Sequence, residues 1–146
     1  MRIATYNVEW FNALFDDAGR MLEDAEWSAR YDVTRADQLA ALRVVFSALD
    51  ADAVMVIEAP DHNGRRSTVT ALEAFADWAG LRARRALIGF ANDTQQEIAL
   101  LYDPDVMSAV HDPQEDDVPR FDGQFRIDLD IDDRADRVSF SKSPLE

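Results

Sequence analysis

Two apolar stretches of the chain are each followed by side chains that carry hard oxygen ligands. "RIATYNV" (residues 2–8) carries Asn7 as its last residue but one and is followed at once by Glu9, and "AVMVI" (residues 53–57) runs directly into Glu58. Carboxylate and amide oxygens suit Mg²⁺ or Mn²⁺ better than Zn²⁺. The residue types therefore predict a divalent-cation site. The alternative is that solvated carboxylates simply lie at strand ends, with Asn7 bonded to backbone in a turn.

These side chains can meet only if both stretches end at one edge of a sheet. Residues 2–8 alternate as a β-strand does, residues 53–57 are a continuous apolar run, and we expect both strands to be buried on their two faces. Between them, "TRAD" predicts a helix that starts at Thr34 and ends near Asp50, with an inward face made of Leu39, Leu42, Val45, Phe46 and Leu49. If this helix crosses between parallel neighbours, the two strands end on a common edge, where ligands of open α/β sheets collect.

The second half of the chain contains shorter elements. A second helix is predicted from about Ser67 to Gly80, with Val69, Leu72, Phe75 and Ala79 inward. Five short strand-like segments follow, separated by turn signals: "RALIGF", "EIALLY", "VMSAV", "QFRIDLDI" and "RVSFS". We expect consecutive antiparallel strands there. The pattern predicts one domain over residues 1–146 with an α/β (α+β) fold, a mixed sheet and helices on one face.

The chain is strongly acidic, with a formal net charge of −14 and Lys142 as its only lysine. Such a field repels polyanions and gives no support for sequence-specific reading of DNA, although a bound cation inverts the local sign. No cysteine is present, so disulfides and thiolate zinc sites are excluded. The start "MRIATYN" lacks signal-peptide features and no apolar run reaches membrane-spanning length, which predicts a cytoplasmic protein with no membrane partner.

Four segments, in order, resemble the endonuclease/exonuclease/phosphatase superfamily. "RIATYNVEWF" is similar to its first strand, which ends in Asn-x-Glu or Asn-x-Asp, and "ADAVMVIEAPD" is similar to the strand that ends in its metal-binding glutamate. "FANDTQQEIALLYDPD" resembles its asparagine loop with the strand that follows, and "VSFSKSPLE" resembles its "F-S-R-P-P-L" stretch. The resemblance implies that this chain is the N-terminal half of a four-layer α/β/β/α sandwich.

The resemblance also implies roles for three residues. Glu58 would be the principal ligand of Mg²⁺ (or Mn²⁺), Glu9 a second or water-mediated ligand, and Asn7 the side chain that orients the metal site or the scissile phosphate. Asn7 and Glu58 would thus be the catalytic residues of a Mg²⁺-dependent hydrolase. Its substrate would be a phosphodiester or phosphomonoester, either a nucleic acid or a small phosphoester. Ile57 stands where the family commonly has glutamine, so one polar contact behind the metal is missing.

The later motifs of the family do not follow Ser141 in this chain. They are an Asp-x-Asn, an aspartate that orients a histidine, and a terminal Asp-His; "PDHNG" has similar letters but directly follows the Glu58 motif, and we interpret it as a turn. We therefore expect residues 1–146 to be an N-terminal portion that binds a divalent ion weakly and turns over little. The alternative is a non-catalytic α/β module that associates, as a homo-oligomer for example, through an apolar sheet face.

Three further features favour structural interpretations. "DLDIDDRADRVS" starts like a calcium loop, but Asp133 and Ser139 stand where that loop needs glycine and glutamate. The cluster "RARR" (residues 82–85) could bind phosphate, although pairing with nearby carboxylates is commoner. Aromatic residues of the first connection could stack on a nucleobase, although burial is their commoner fate: Trp10, Phe11, Phe15, Trp27 and Tyr31.

Overall fold

The structure is a computed structural model that describes residues 1–89 and 97–112, together with the backbone of residues 124–128 and 135–139. The chain forms two compact units, Met1–His111 and Asp112–Glu146. The elements of the first unit are β1 (Ile3–Asn7), a 3-10 helix (Phe11–Leu14), α1 (Arg35–Leu49), β2 (Ala53–Ala59), α2 (Thr68–Ala79), β3 (Arg85–Ile88) and β4 (Glu97–Tyr102). The second unit contains β5 (Gln124–Asp128) and β6 (Ala135–Ser139), which pair antiparallel. The single domain over residues 1–146 stays a prediction.

Both helices begin and end where the capping residues predict. The Thr34 and Ser67 side chains each accept a backbone N–H of the first turn. Helix α1 ends before Asp50, which is left-handed, and α2 ends before Gly80, whose φ of 69° is one that glycine adopts without strain. One expectation is wrong: Val45 is exposed rather than inward, because the buried stripe of α1 runs through neighbouring helical positions.

The four strands of the first unit form one mixed sheet with the order β1-β2-β4-β3. Strands β1 and β2 are parallel, with Ile3 opposite Ala53 and Asn7 opposite Ile57. Strand β4 runs antiparallel to both β2 and β3. Because α1 connects β1 to β2, the predicted parallel pair with a helical crossover is confirmed, as is the α+β fold class.

Both helices contribute to a single core on one face of this sheet. The rings of Phe46 in α1 and Phe75 in α2 lie 5.2 Å apart, and Phe11 of the 3-10 helix lies 5.2 Å from Phe75. These rings belong to the same buried cluster as alternate residues of the central strands, Val54, Val56, Ala99 and Leu101. Each large apolar side chain contributes roughly 1.5–3 kcal/mol on full burial, so the helices are held firmly on this side.

The opposite face of the sheet is covered by neither helix and is exposed in part, which corrects the expectation that β1 and β2 are buried on both sides. Ile3 is 63% exposed, and Met55 and Ile98 are also exposed. The physical reason is that α1 and α2 both pack on the other face. The sheet therefore has one packed face and one apolar face that neither helix covers.

The segment "VMSAV" is not a strand, contrary to prediction. The backbone N–H groups of Val106 and Met107 both donate to the carbonyl of Asp103, at 3.2 and 3.1 Å, so the chain turns directly after β4. The other predicted strands are present in part or in full. Residues 90–96 of the "FANDTQQ" loop, residues 140–146 of "VSFSKSPLE", and residues 129–134 of the calcium-like loop lie outside the described residues.

Candidate metal and phosphate site

The carboxyl ends of β1 and β2 meet at one edge of the sheet. The ladder continues one residue past β1, where the backbone N–H of Val8 donates to the carbonyl of Ile57 at 2.9 Å. At this edge the Asn7 side chain donates from Nδ2 to Glu58 Oε1 at 3.2 Å. The structure thus brings together two of the three residues that the sequence singles out.

Glu58 reaches Asn7 because the end of β2 is irregular. Regular alternation would direct the Glu58 side chain to the same face as Val54 and Val56, into the core under the helices. Instead the register with β4 shifts between Ile57 and Ala59, and Glu58 has a φ of 58°. Such bulges redirect side chains next to functional sites, and a left-handed non-glycine residue is strained by about 1–2 kcal/mol. The strained residue is the carboxylate that the resemblance marks as the metal ligand.

The Glu58 carboxylate forms no ion pair among the described residues. Its hydrogen-bond partner within residues 1–89 and 97–112 is the Asn7 amide, and no arginine or histidine of those residues pairs with it. A carboxylate oxygen can accept from several donors or ligands at once. Glu58 is therefore not committed to a structural ion pair.

Glu9 lies two residues beyond Asn7 and has a different partner. Its carbonyl accepts from the Gln38 side chain of α1 at 3.1 Å, while its carboxylate lies 3.3 Å from Nη2 of Arg30. No hydrogen bond joins Glu9 to Asn7 or Glu58 in the part of the chain that the structure describes. The third predicted ligand is therefore held by an arginine.

A buried polar cluster, which sequence reasoning missed, ties together the two loops that follow β1 and β2. Arg66 donates from Nε to the carbonyl of Asp16 at 2.9 Å, from Nη2 to that of Phe15 at 2.8 Å, and from Nη1 to the Asn12 side chain. Asn12 in turn donates to Asp61 at 2.8 Å. The only sequence signal was a polar residue among aromatics in "EWFNALF". The cluster fixes the bases of both site loops.

The donor set at this edge fits a hard divalent cation. Glu58 supplies a carboxylate and Asn7 an amide, while the Glu9 carboxylate is paired with Arg30; Mg²⁺ is commonly bound by one or two carboxylates together with water and substrate phosphate. No group of three or more His, Cys, Asp or Glu side chains with metal-binding geometry occurs among the described residues. These residues could therefore form an open site, with positions left for water or phosphate, rather than a closed cage.

The aromatic residues of the first connection divide into two groups. Phe11 and Phe15 are buried in the core, as the commoner interpretation expects. Trp10, Trp27 and Tyr31 are exposed. Trp10 directly follows Glu9 and Tyr31 directly follows Arg30, so exposed aromatic surface flanks the Glu9–Arg30 pair.

The "RARR" cluster is structural, as its commoner interpretation predicts. Arg82 pairs with Asp52 and lies 3.3 Å from Asp103, while Arg84 lies 2.9 Å from Asp105. The hydrogen bond from Arg82 holds the pKa of Asp52 below its ordinary value, and the pKa of Arg82 is raised in return. These ion pairs lie at the amino end of β2, away from Glu58.

Comparisons with known proteins gave no match: no family model fits the chain, and no curated protein and no solved structure is significantly similar to it. In the described ranges, no helix is both long enough and apolar enough to cross a membrane. Function is therefore inferred from the geometry of the sheet edge and from the resemblance of the four sequence segments.

Proposed function

We propose that this chain carries the metal-binding part of a Mg²⁺-dependent phosphoester hydrolase of the endonuclease/exonuclease/phosphatase type. The observation that carries the proposal is the hydrogen bond between Asn7 and Glu58 at the common edge of two parallel strands. The left-handed backbone of Glu58 supports it, since strain of this kind is typical of functional residues.

The proposed chemistry assigns a role to each residue. A divalent ion held by Glu58 would stabilise the charge that develops on the phosphate during in-line attack by water. Asn7, which donates to Glu58, would orient that carboxylate or donate to a phosphate oxygen. Glu9 would add a second carboxylate, directly or through water. The substrate class is a phosphodiester or phosphomonoester, in a nucleic acid or a small molecule, and the proposed compartment is the cytoplasm.

Titration with Mn²⁺, followed by the electron paramagnetic resonance of the free ion, tests the proposal on residues 1–146. We expect weak binding that falls about tenfold or more in Glu58→Gln, since even outer-shell changes at metal sites cost 10–100-fold. Glu23→Gln is the matched control, because it makes the same chemical change at a glutamate outside the site. Equal affinity in all three proteins would refute the metal site.

Turnover by the isolated chain is tested separately. Purified residues 1–146 should hydrolyse bis(p-nitrophenyl) phosphate slowly or not at all with Mg²⁺ or Mn²⁺, because the later motifs of the family do not follow Ser141. A robust metal-dependent rate that disappears in Glu58→Ala would contradict this expectation while supporting the site.

A second candidate function is favoured by the open sheet face. Ile3, Met55 and Ile98 are exposed there, and Ile57 faces Ile98 across the β2–β4 ladder. In the four-layer sandwich that the resemblance implies, a second layer would cover this face. The candidate is a non-catalytic module in which a second copy of the chain covers it, because exposed apolar surface of this kind drives association. Static light scattering distinguishes the candidates, since a monomer at high concentration counts against association.

A further inference from the structure

Arg30 is the cation that pairs with Glu9, the third residue that the sequence singles out. Its guanidinium lies 3.3 Å from the Glu9 carboxylate, and Glu9 follows Asn7 by two residues. The side chains of Arg30 and Glu9 are 47% and 56% exposed. An ion pair this exposed contributes only about 0–1 kcal/mol, so either partner can exchange it for a stronger one.

The loop that carries Arg30 is held in place by backbone contacts. Arg30 lies in a short loop closed by an antiparallel bridge between Trp27 and Thr34, and its backbone N–H donates to the Ser28 hydroxyl at 3.2 Å. Thr34 is the N-cap of α1, so the loop is anchored to the start of that helix.

Glu9 is fixed by the same helix. Gln38, one turn further along α1, is buried and donates its side-chain N–H to the Glu9 carbonyl. Both partners of the ion pair are therefore positioned by α1, which makes their approach a property of the fold.

Residues with left-handed backbone stand close in sequence to both members of this pair. Four non-glycine residues with positive φ occur among the described residues: Trp10, Asp32, Asp50 and Glu58. Asp50 is the C-cap of α1 and Trp10, directly after Glu9, is the N-cap of the 3-10 helix, while Asp32 lies in the Arg30 loop and Glu58 is the candidate metal ligand. Strained residues cluster at binding sites because the surrounding structure holds them there for function.

We propose that Arg30 is a phosphate-binding residue. It stays paired with Glu9 until the divalent cation is bound. The inference rests on the proposed function, because it needs a cation at Glu58 and Glu9. With a cation bound there, Glu9 would supply its carboxylate to the ion, and the guanidinium of Arg30 would be available to a phosphate oxygen, for which its planar, bidentate donors are well suited. The site takes cation first and phosphate second, and its ligand class is a phosphoester.

The two ligands should respond in opposite directions to one substitution. In Arg30→Ala, Mn²⁺ should bind roughly two- to fivefold more tightly, since a competing and repelling charge is removed from an exposed pair. Phenyl phosphate, titrated by ³¹P nuclear magnetic resonance with Mg²⁺ present, should bind about tenfold more weakly, because a charge-assisted hydrogen bond is lost. Arg30→Lys should retain part of the phosphate affinity.

A matched control removes the same charge elsewhere. Arg20 is exposed and pairs with Asp16 at 2.8 Å, so Arg20→Ala changes the net charge equally and should leave both affinities unchanged. In the wild-type protein, omission of Mg²⁺ should abolish the binding of phenyl phosphate.

The outcomes separate the two proposals. If Mn²⁺ does not bind the wild-type protein, both fail. If Mn²⁺ binds through Glu58 but Arg30→Ala leaves phenyl phosphate affinity unchanged, or weakens both ligands alike, only the role of Arg30 is overturned. That role is also overturned if phenyl phosphate shows no Mg²⁺-dependent binding to the wild-type protein. Tighter Mn²⁺ together with weaker phosphate supports the exchange, since a merely structural arginine would not shift the two affinities in opposite directions.

Discussion

Glu58 has both a side-chain contact at the candidate site and a left-handed backbone. Its carboxylate accepts a hydrogen bond from Asn7 across two strands, and its backbone has the φ of 58° that only glycine adopts without strain. A chain selected for stability alone would place glycine or asparagine at this point of the bulge. The glutamate therefore stands here at a cost in stability, which is the relation expected if the proposed ligand-binding role holds.

We predict that Glu58→Gly separates stability from binding. The substitution relieves the left-handed strain, so the free energy of unfolding should rise by roughly 0.5–1 kcal/mol, while Mn²⁺ binding is lost. Urea unfolding and Mn²⁺ titration measure the two effects. Ala59→Gly is the control. Ala59 is buried in the same strand and has no positive φ, so the glycine should lower the free energy of unfolding of that variant. A loss of stability in Glu58→Gly equal to that of Ala59→Gly would show that no strain is stored.

Single residues of the site could be predicted from sequence only in part. Asn7 and Glu58 can be predicted because each is a polar residue at the end of a strand-like, mostly apolar stretch, a signal that is local in the sequence. The Glu9–Arg30 pair could not be predicted, since it joins residues 21 positions apart through a loop whose conformation depends on α1. The bulge also lacks a signal, because "VIEAP" contains no glycine.

At the scale of elements, the two ends of the sheet have different tasks. The amino end of β2 is fastened by ion pairs: the Asp52 carboxylate accepts from the Arg2 backbone N–H and from Arg82. Asp103 at the end of β4 joins them through Arg82 and Arg84. The carboxyl end carries the candidate site. The structural ion pairs thus lie at the opposite end of the sheet from Glu58.

The ion pair between Asp52 and Arg82 at the amino end of β2 predicts how the stability of the fold depends on pH. Hydrogen bonds from Arg82 and from the Arg2 backbone hold the pKa of Asp52 below its ordinary value of 3.8. A lowered pKa in the folded state contributes stability above the unfolded value, and this contribution is lost as the pH falls through the folded pKa. We expect Asp52→Asn to lower the urea midpoint at pH 6 and to reduce its fall between pH 5 and pH 3. If the urea midpoint of Asp52→Asn falls between pH 5 and pH 3 as much as that of the wild-type protein, this explanation is contradicted.

Elements with strong local signals were predictable, and the exceptions have physical reasons. The N-caps Thr34 and Ser67 and the C-cap Gly80 each mark a boundary by their own chemistry. The exposure of Val45 and of one sheet face was not predictable from periodicity, because it depends on which face the helices cover. The prediction of a strand in the apolar segment "VMSAV" is wrong because strand propensity alone does not form a strand; the segment must also pair with a neighbouring strand.

On the scale of the whole molecule, an acidic chain presents an apolar sheet face. A net charge of −14 opposes self-association, whereas the exposed side chains of β1, β2 and β4 favour it. Salt screens the first effect and not the second. Association through this face should therefore strengthen as ionic strength rises.

We predict that wild-type protein at 0.5 M NaCl has about twice the chain mass of 16.5 kDa by light scattering. Met55→Lys should give a monomer, because Met55 is exposed in the middle of β2, opposite Thr5 and Leu100, and the substitution places a charge at the centre of this face. Val44→Lys is the control, since Val44 is exposed on α1 and not on the sheet. A monomer in all three proteins would remove the association candidate and leave the metal site untouched.

The central claim is that the common edge of β1 and β2 binds a divalent cation. Crystals soaked in Mn²⁺ and measured near the manganese absorption edge test it most directly. We predict an anomalous peak within bonding distance of a Glu58 carboxylate oxygen, with Glu9 turned away from Arg30 toward the ion. A map in which Glu58 stays bonded only to Asn7, with manganese absent from this edge or bound elsewhere, would contradict it.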